Sequence, residues 1–331
     1  MALLNANALT LSDWAKRLDP DGKVPSIVEL LSQTNEILMD MKWMEGNLPT
    51  GHRTTVRTGL PSVAWRLLNQ GVQPSKSTTA QIDEACGMLE AWSEVDKDLA
   101  QLNGNTSAFR LSEAQAFIEA MNQEMASTLF YGNSGLAPEE FTGLAVRYSD
   151  PAAANGSNVI DAGGAGSDNS SIWLVVWGPQ SIHGIFPKGS KAGLIHEDMG
   201  EVTVETTAGI AGTRMRAYQD RWQWKCGIAL RDWRYVVRIG SIDISVLAGG
   251  SPQDIVAFMI KALHRVPNLR IGTPVFYMNR TVFEYLDIIR RDTVITGGGI
   301  TFDNVDGKIQ FSFRGVPIRV CDSLTETESL V

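Results

Sequence analysis

The chain reads as an α+β protein, and three features of its sequence carry that reading. Its 331 residues are 44% apolar and 20% charged, enough for a sizeable core over about two domains' length. In the first half, apolar residues recur at helical intervals in two long stretches, 82–102 and 112–131. From residue 172 onward short β-rich runs dominate, interrupted by only two further helical patterns. No internal repeat is evident.

The first forty-five residues predict two short helices on a tether. Leu11 to Leu18 forms one, and Asp19-Pro20-Asp21-Gly22 breaks it. The second opens at Ser26, with Glu29 three positions on, a spacing that pairs free backbone N–H groups with side chains. Its stripe is Ile27, Leu30, Leu31, Leu38 and Met41. This arm is too short to bury its apolar face alone, so its stripe needs the rest of the chain or a neighbour.

From Asn47 to Thr79, prolines at 49, 61 and 74 and glycines at 51, 59 and 71 punctuate β-branched and basic residues. Arg53-Thr54-Thr55-Val56-Arg57 has the period of a strand with almost no apolar face. The stretch predicts an extended hairpin or flap, and an isolated strand pair is marginal in water. Such a flap wants a surface to lie on.

Two helices are expected next. Ile82, Ala85, Leu89, Trp92, Val95 and Leu99 form the stripe of the first, 82–102. The second runs from Ser112 to Tyr131 with Gln115 completing its cap and Gly132 as its stop, about 30 Å of strut. Residues 151–171 are small and polar, a surface loop. Strands are predicted over 172–177, 182–186, 201–207, 222–230 and 235–244. A central helix follows over 251–264, with Ser251 as cap and Asp254 at capping-box spacing. A strand over 274–278, a helix over 281–291 opened by Thr281 and Glu284, and closing strands over 300–302, 308–313 and 317–320 complete the chain.

Charge and motifs exclude several functions. The net charge of −8 and pI near 5.1 have the wrong sign for a broad nucleic-acid grip. Cys86, Cys226 and Cys321 are widely spaced and support neither a disulfide framework nor a cysteine zinc site, which fits a reducing cytoplasm. No apolar run approaches a membrane span, and Asp13, Lys16, Arg17 and Asp19 interrupt any signal-peptide core. The glycines of 162–166 and 297–299 lack the context of a phosphate loop and read as turns. His196-Glu197-Asp198 reads as a solvated charged turn, because adjacent loop residues do not converge on a metal. No nucleophile motif is present, so no catalytic, cofactor-binding or metal-ligating residue is assigned. Trp222, Trp224 and Trp233, interleaved with Arg221, Lys225, Arg231 and Arg234, can mark single-stranded nucleic-acid stacking or a strand pair with one packed face, and with the acidic net charge they fit a protein interface best.

The order of parts then carries a resemblance. A helical arm, a basic flap, a strut helix, a strand-rich platform and a compact α/β end resemble the layout of tailed-phage major capsid proteins of the Hong Kong 97 type. Short-tailed phage subunits are similar in Pro25-Ser26-Ile27-Val28-Glu29-Leu30-Leu31-Ser32-Gln33-Thr34-Asn35 and in Glu45-Gly46-Asn47-Leu48-Pro49-Thr50-Gly51-His52. So are Arg57-Thr58-Gly59-Leu60-Pro61-Ser62-Val63-Ala64-Trp65-Arg66, Trp177-Gly178, His183-Gly184-Ile185-Phe186-Pro187-Lys188-Gly189 and Phe313-Arg314-Gly315-Val316-Pro317-Ile318.

The resemblance implies an N-terminal arm over 1–45, an extended loop over 46–80, a peripheral domain over 81–250 and an axial domain over 251–331. It implies a non-enzymatic subunit that assembles with itself, as hexamers and pentamers, into an icosahedral shell around double-stranded DNA contacted only weakly. Scaffolding and cement proteins and a portal at one vertex would be its further partners, the virion capsid its place and the host bacterial cytoplasm its site of assembly. Inter-subunit contacts are expected from Ile27, Leu30, Leu31, Leu38, Arg53, Arg57, Trp65, Arg66, Trp222 and Trp224. A soluble α+β enzyme would leave arm and flap without purpose. A tail or decoration protein could share the β-rich half, but the two central helices argue against it.

Overall fold

The computed structural model describes Asp13 and residues 32–102, 104–205, 213–248, 254–293, 300–305 and 308–331. In chain order its elements are α1 (Ile37–Asp40), β1 (Trp43–Glu45), β2 (Gly51–Gly59), β3 (Thr78–Ala85), β4 (Gly87–Asp96), α2 (Lys97–Gln101) and α3 (Thr106–Tyr131). Then come α4 (Leu144–Arg147), β5 (Val159–Asp161), β6 (Asn169–Trp177), β7 (Ile182–Phe186), β8 (Leu194–Glu205), β9 (Arg214–Leu230) and β10 (Val236–Asp243). The last are α5 (Ile244–Ala248), α6 (Ile255–Arg265), β11 (Thr273–Met278), α7 (Arg280–Thr293), β12 (Ile300–Val305), β13 (Lys308–Phe313) and β14 (Val316–Val320).

Strand β6 is the centre of the molecule. It pairs antiparallel with β10 on one edge and β11 on the other, and every one of its residues is buried. A strand buried on both faces needs a continuous apolar run, which Ile172-Trp173-Leu174-Val175-Val176-Trp177 supplies. Alternate side chains serve two cores. Ile172, Leu174 and Val176 pack with Ile255 and Met259 of α6 and Val282 and Leu286 of α7. Trp173, Val175 and Trp177 pack with Met125, Leu129 and Phe130 of α3 on the other face. Beyond β11 the sheet continues through β14, β13 and β12, and beyond β7 it continues into β9.

Strand β9 is long enough to serve two sheets' worth of partners. Its last residues, 227–230, pair with β7, and the stretch before them is flanked by β4 on one side and β8 on the other. The helix predicted over 82–102 is therefore corrected: β3 and β4 occupy most of it, and only Lys97–Gln101 is helical. In β4 the alternate residues Leu89, Ala91, Ser93 and Val95 are less exposed than Met88, Glu90, Trp92 and Glu94, a period of two that the period-3.6 stripe hid. Pairing with β9 along ten register positions outweighs the local preference.

Helix α3 runs 26 residues, about 39 Å, and begins at Thr106, after Asn105 at the cap position, rather than at the predicted Ser112. The Ser112 hydroxyl instead donates to the Phe109 carbonyl at 2.8 Å within the helix. Gly132 ends it as expected. At α6 the cap is Asp254, whose carboxylate accepts from Ala257 N at 2.9 Å, and α7 is opened by Asn279, which accepts from Thr281 N at 2.8 Å. Ser251 and Gly297–Gly299 lie outside the described residues. So do the predicted helix over 11–18, apart from Asp13, and Ser26, Ile27, Glu29, Leu30 and Leu31.

In the described part of the second arm helix, residues 32–36 are not helical and Ile37–Asp40 is. This segment docks on its own chain. Ser323 Oγ donates to Asn35 Oδ1 at 2.7 Å, Arg319 pairs with Glu36 at 2.8 Å, and Ile37 and Met41 enter the core beneath α3. Strand β1 then runs alongside β7 so closely that a Cβ on Gly184 would stand 2.7 Å from the Trp43 ring.

His196-Glu197-Asp198 lies on β8, not in the turn expected of it. His196 meets Asp220 at 2.9 Å, Asp198 meets Arg110 at 2.7 Å and Glu197 meets Arg221 at 3.1 Å, so the charges are absorbed by pairs across the sheet and α3. Among the described residues no cluster of histidine, cysteine and acidic side chains could hold a metal, and no helix is long and apolar enough to cross a membrane.

Candidate assembly surface

A second, two-stranded sheet stands apart from the main one. Strands β2 and β3 pair antiparallel from Gly51 opposite Ala85 to Gly59 opposite Thr78, with a bulge after Arg57. Arg53 and Asp83 face each other across the ribbon in a two-pronged pair, Nε to Oδ1 and Nη2 to Oδ2 both at 2.6 Å. That pairing holds the Asp83 carboxyl below its ordinary range. At strand rise the ribbon reaches about 27 Å from root to tip.

The root is tied down on all sides. Glu84, buried, receives both guanidinium nitrogens of Arg147 at 2.6 Å, and Arg147 also donates to the Thr142 carbonyl. His52 is buried edge-on against His183 of β7, ring centres 5.7 Å apart, and Arg231 lies 3.0 Å from His52 Nε2. Neither nitrogen of His183 has a hydrogen-bond partner among the described residues. Burial, then the Arg231 charge, lowers the His52 pKa, and burial first, then Arg231 and His52, pushes His183 down to about 4.

Both rings are thus held neutral, which has a consequence in acid. Above an unfolded histidine pKa of about 6.5 the neutral pair has no cost of this kind. Below it the unfolded chain takes up protons that the folded chain refuses, so stability falls as pH drops toward 4 and levels off beneath. His183 alone is expected to remove about 2 kcal/mol between pH 7 and pH 5. Urea unfolding of the chain and of His183→Gln at both pH values measures it, and equal pH dependence in the two would refute the assignment.

The tip is the opposite of the root. Every residue from 60 to 77 is exposed, including Leu60, Val63, Trp65, Leu67, Leu68 and Val72, and the Trp65 side chain is fully exposed. Residues 46–80 contain no carboxylate, while Arg53, Arg57, Arg66 and Lys76 supply cations. Contiguous exposed apolar groups on this scale mark a surface that another molecule covers.

Of the expected contact residues, Arg57, Trp65 and Arg66 lie on this exposed ribbon and tip, and Arg53 does too, though paired to Asp83. Leu38 packs partly buried against its own core. Trp222 departs from the expectation of an interface position: it is 2% exposed, its indole between Phe117 of α3 and His196 of β8, with ring centres at 5.1 and 5.2 Å. Trp224 is half-buried, 6.0 Å from the Trp43 ring. The interleaved cations missed this because Arg221 and Lys225 lie on the sheet's other face, where Arg221 pairs with Glu90 and Glu197.

Comparison with known proteins places these features. A chain in the structure of bacteriophage Epsilon15 is 31% identical over 100% of this chain and 99% of its own, with a TM-score of 0.76. A chain from Mycobacterium phage Adephagia aligns at 10% identity over 70% of this chain and 97% of its own, TM-score 0.45. The encapsulin SrpI of Synechococcus elongatus aligns at 12% over 71% and 97%, TM-score 0.43. No curated protein matches. The family model of the major capsid protein GP7 matches residues 19–331. The chain therefore belongs to the GP7 family of major capsid proteins, its α+β architecture is the Hong Kong 97-type capsid fold, and its function is to build the icosahedral shell of a bacteriophage virion from copies of itself.

Proposed function

We propose that the chain works as four parts, an arm over 1–45, an extended loop over 46–80, a peripheral domain over 81–250 and an axial domain over 251–331, with the loop lying over a neighbouring subunit. The observation that carries this is the exposed apolar tip at the end of a rigidly rooted ribbon. Ile27, Leu30 and Leu31 of the arm, with Arg57, Trp65 and Arg66 of the loop, make the inter-subunit contacts. The subunits group as hexamers and pentamers, and the role is structural rather than catalytic.

The enclosed genome is double-stranded DNA, and the net charge of −8 keeps the wall from gripping it. A portal at one vertex, and scaffolding and cement proteins, are the further partners. Assembly takes place in the host bacterial cytoplasm, which suits three free cysteines. Electron microscopy of the purified chain across a concentration series tests the reading. Closed shells or rings are expected, and a monodisperse monomer throughout would overturn it.

A further inference from the structure

Between α3, β4 and the segment after α3 lies a pocket of about 300 Å³. Its floor is apolar, made by Met125, Phe141 and Cys226, and its rim carries Glu124, Glu139 and Glu140. Among the described residues no cation lines it, and none of the three carboxylates forms an ion pair. Glu124 and Glu139 are exposed, and Glu140 accepts only the Asn133 N–H, at 3.3 Å. An apolar floor beneath an unneutralised acidic rim suits a flat apolar group with a cation beside it.

The chain carries one such group. Trp65 is the only fully exposed aromatic ring among the described residues, and the adjoining Arg66 is exposed on a loop without a single carboxylate. Trp233-Arg234 is the nearest rival, but its ring is partly covered and Arg234 is already paired with Asp232 at 2.7 Å. Within one subunit the two cannot meet. The ribbon leaves the platform at Ala85, two residues before Gly87 of the pocket wall, and carries its tip about 27 Å away. The occupant must come from another copy.

We propose that this pocket receives Trp65 and Arg66 of a second copy of the chain, the indole on the Met125–Phe141 floor and the guanidinium among the carboxylates of Glu124, Glu139 and Glu140. The assignment rests on the reading that the loop lies over a neighbour, and adds where it lands. A central aromatic and arginine pair is the composition that dominates interface energetics, and charge complementarity fixes the register in which the loop is laid down.

A charge swap tests it in the full-length chain. Arg66→Glu, and separately the pair Glu139→Arg with Glu140→Arg, are each expected to lower shell yield at least about tenfold, while combining all three restores it to within about threefold. Trp65→Ala, at a fully exposed site, should lower yield as far without altering circular dichroism. Full shell yield from either charge variant, or no rescue by the combination although every variant folds, would overturn the assignment. A chain whose loop tip is replaced by a tight turn, run alongside, separates two failures. No shells from that chain together with normal shells from the charge variants would refute the pocket alone. Shells from the truncated chain would refute the loop reading itself.

Discussion

Replacing Thr58–Thr78 by Asn-Gly is expected to yield a folded monomer that forms no shells. Arg57 lies opposite Thr79 in the ribbon, so a two-residue turn can close the shortened hairpin without changing its register. The removed residues contribute to neither large core, and the buried ties of the root, Glu84 with Arg147 and His52 with His183, remain. Stability against urea should therefore change by less than about 1 kcal/mol. Assembly should fail because the exposed apolar tip and two of its cations are gone. Intact shells seen by negative-stain microscopy, or a chain that no longer unfolds cooperatively, would each contradict this.

Glu328→Ala is expected to be the most damaging single substitution away from the packed aromatics. Glu328 Oε2 meets Arg238 Nη2 at 2.7 Å, and both side chains are almost wholly buried. The network has no spare group: Ser171 Oγ donates to Glu328 and accepts from Arg238 Nε at 3.0 Å, while Arg238 Nη1 donates to the Tyr148 carbonyl at 3.0 Å. Tyr131 donates its hydroxyl to the other carboxylate oxygen. Removing the carboxylate leaves a buried guanidinium without its counter-charge, at a cost of about 3–5 kcal/mol. Arg238→Met with Glu328→Leu removes both charges and should cost about 2 kcal/mol or less. Chemical denaturation of the two variants decides it; a loss below about 1 kcal/mol in Glu328→Ala would contradict the expectation.

The sequence was most readable where pattern and packing coincide. The run Ile172 to Trp177 declares a strand covered on both faces, and 182–186 declares another, both placed as expected. It misled at 82–102, where Leu89 and Trp92 have helical spacing yet lie on opposite faces of β4. Trp92 is held outside by the Arg221 guanidinium, 5.5 Å from its ring, a contact that only the fold creates. The flap was legible because its lack of an apolar face is local information. Trp222 was not, because whether an indole faces solvent or Phe117 depends on a helix about a hundred residues away in sequence. The acidic pocket was invisible for the same reason: Gly87, Glu124, Glu139 and Cys226 come from four separate segments.

The ribbon's construction has a mechanical side. A closed surface obliges identical subunits to meet at more than one dihedral angle, and a protein core, packed like a crystal, resists being bent to suit each one. A two-stranded shaft about 27 Å long, clamped by the Glu84–Arg147 pair at one end and free of core contacts along its length, behaves as a leaf spring. Flexure of such a shaft would accommodate the spread of angles and leave the platform unchanged. Stiffness of the shaft, rather than stickiness of the tip, would then set how sharply the wall can curve.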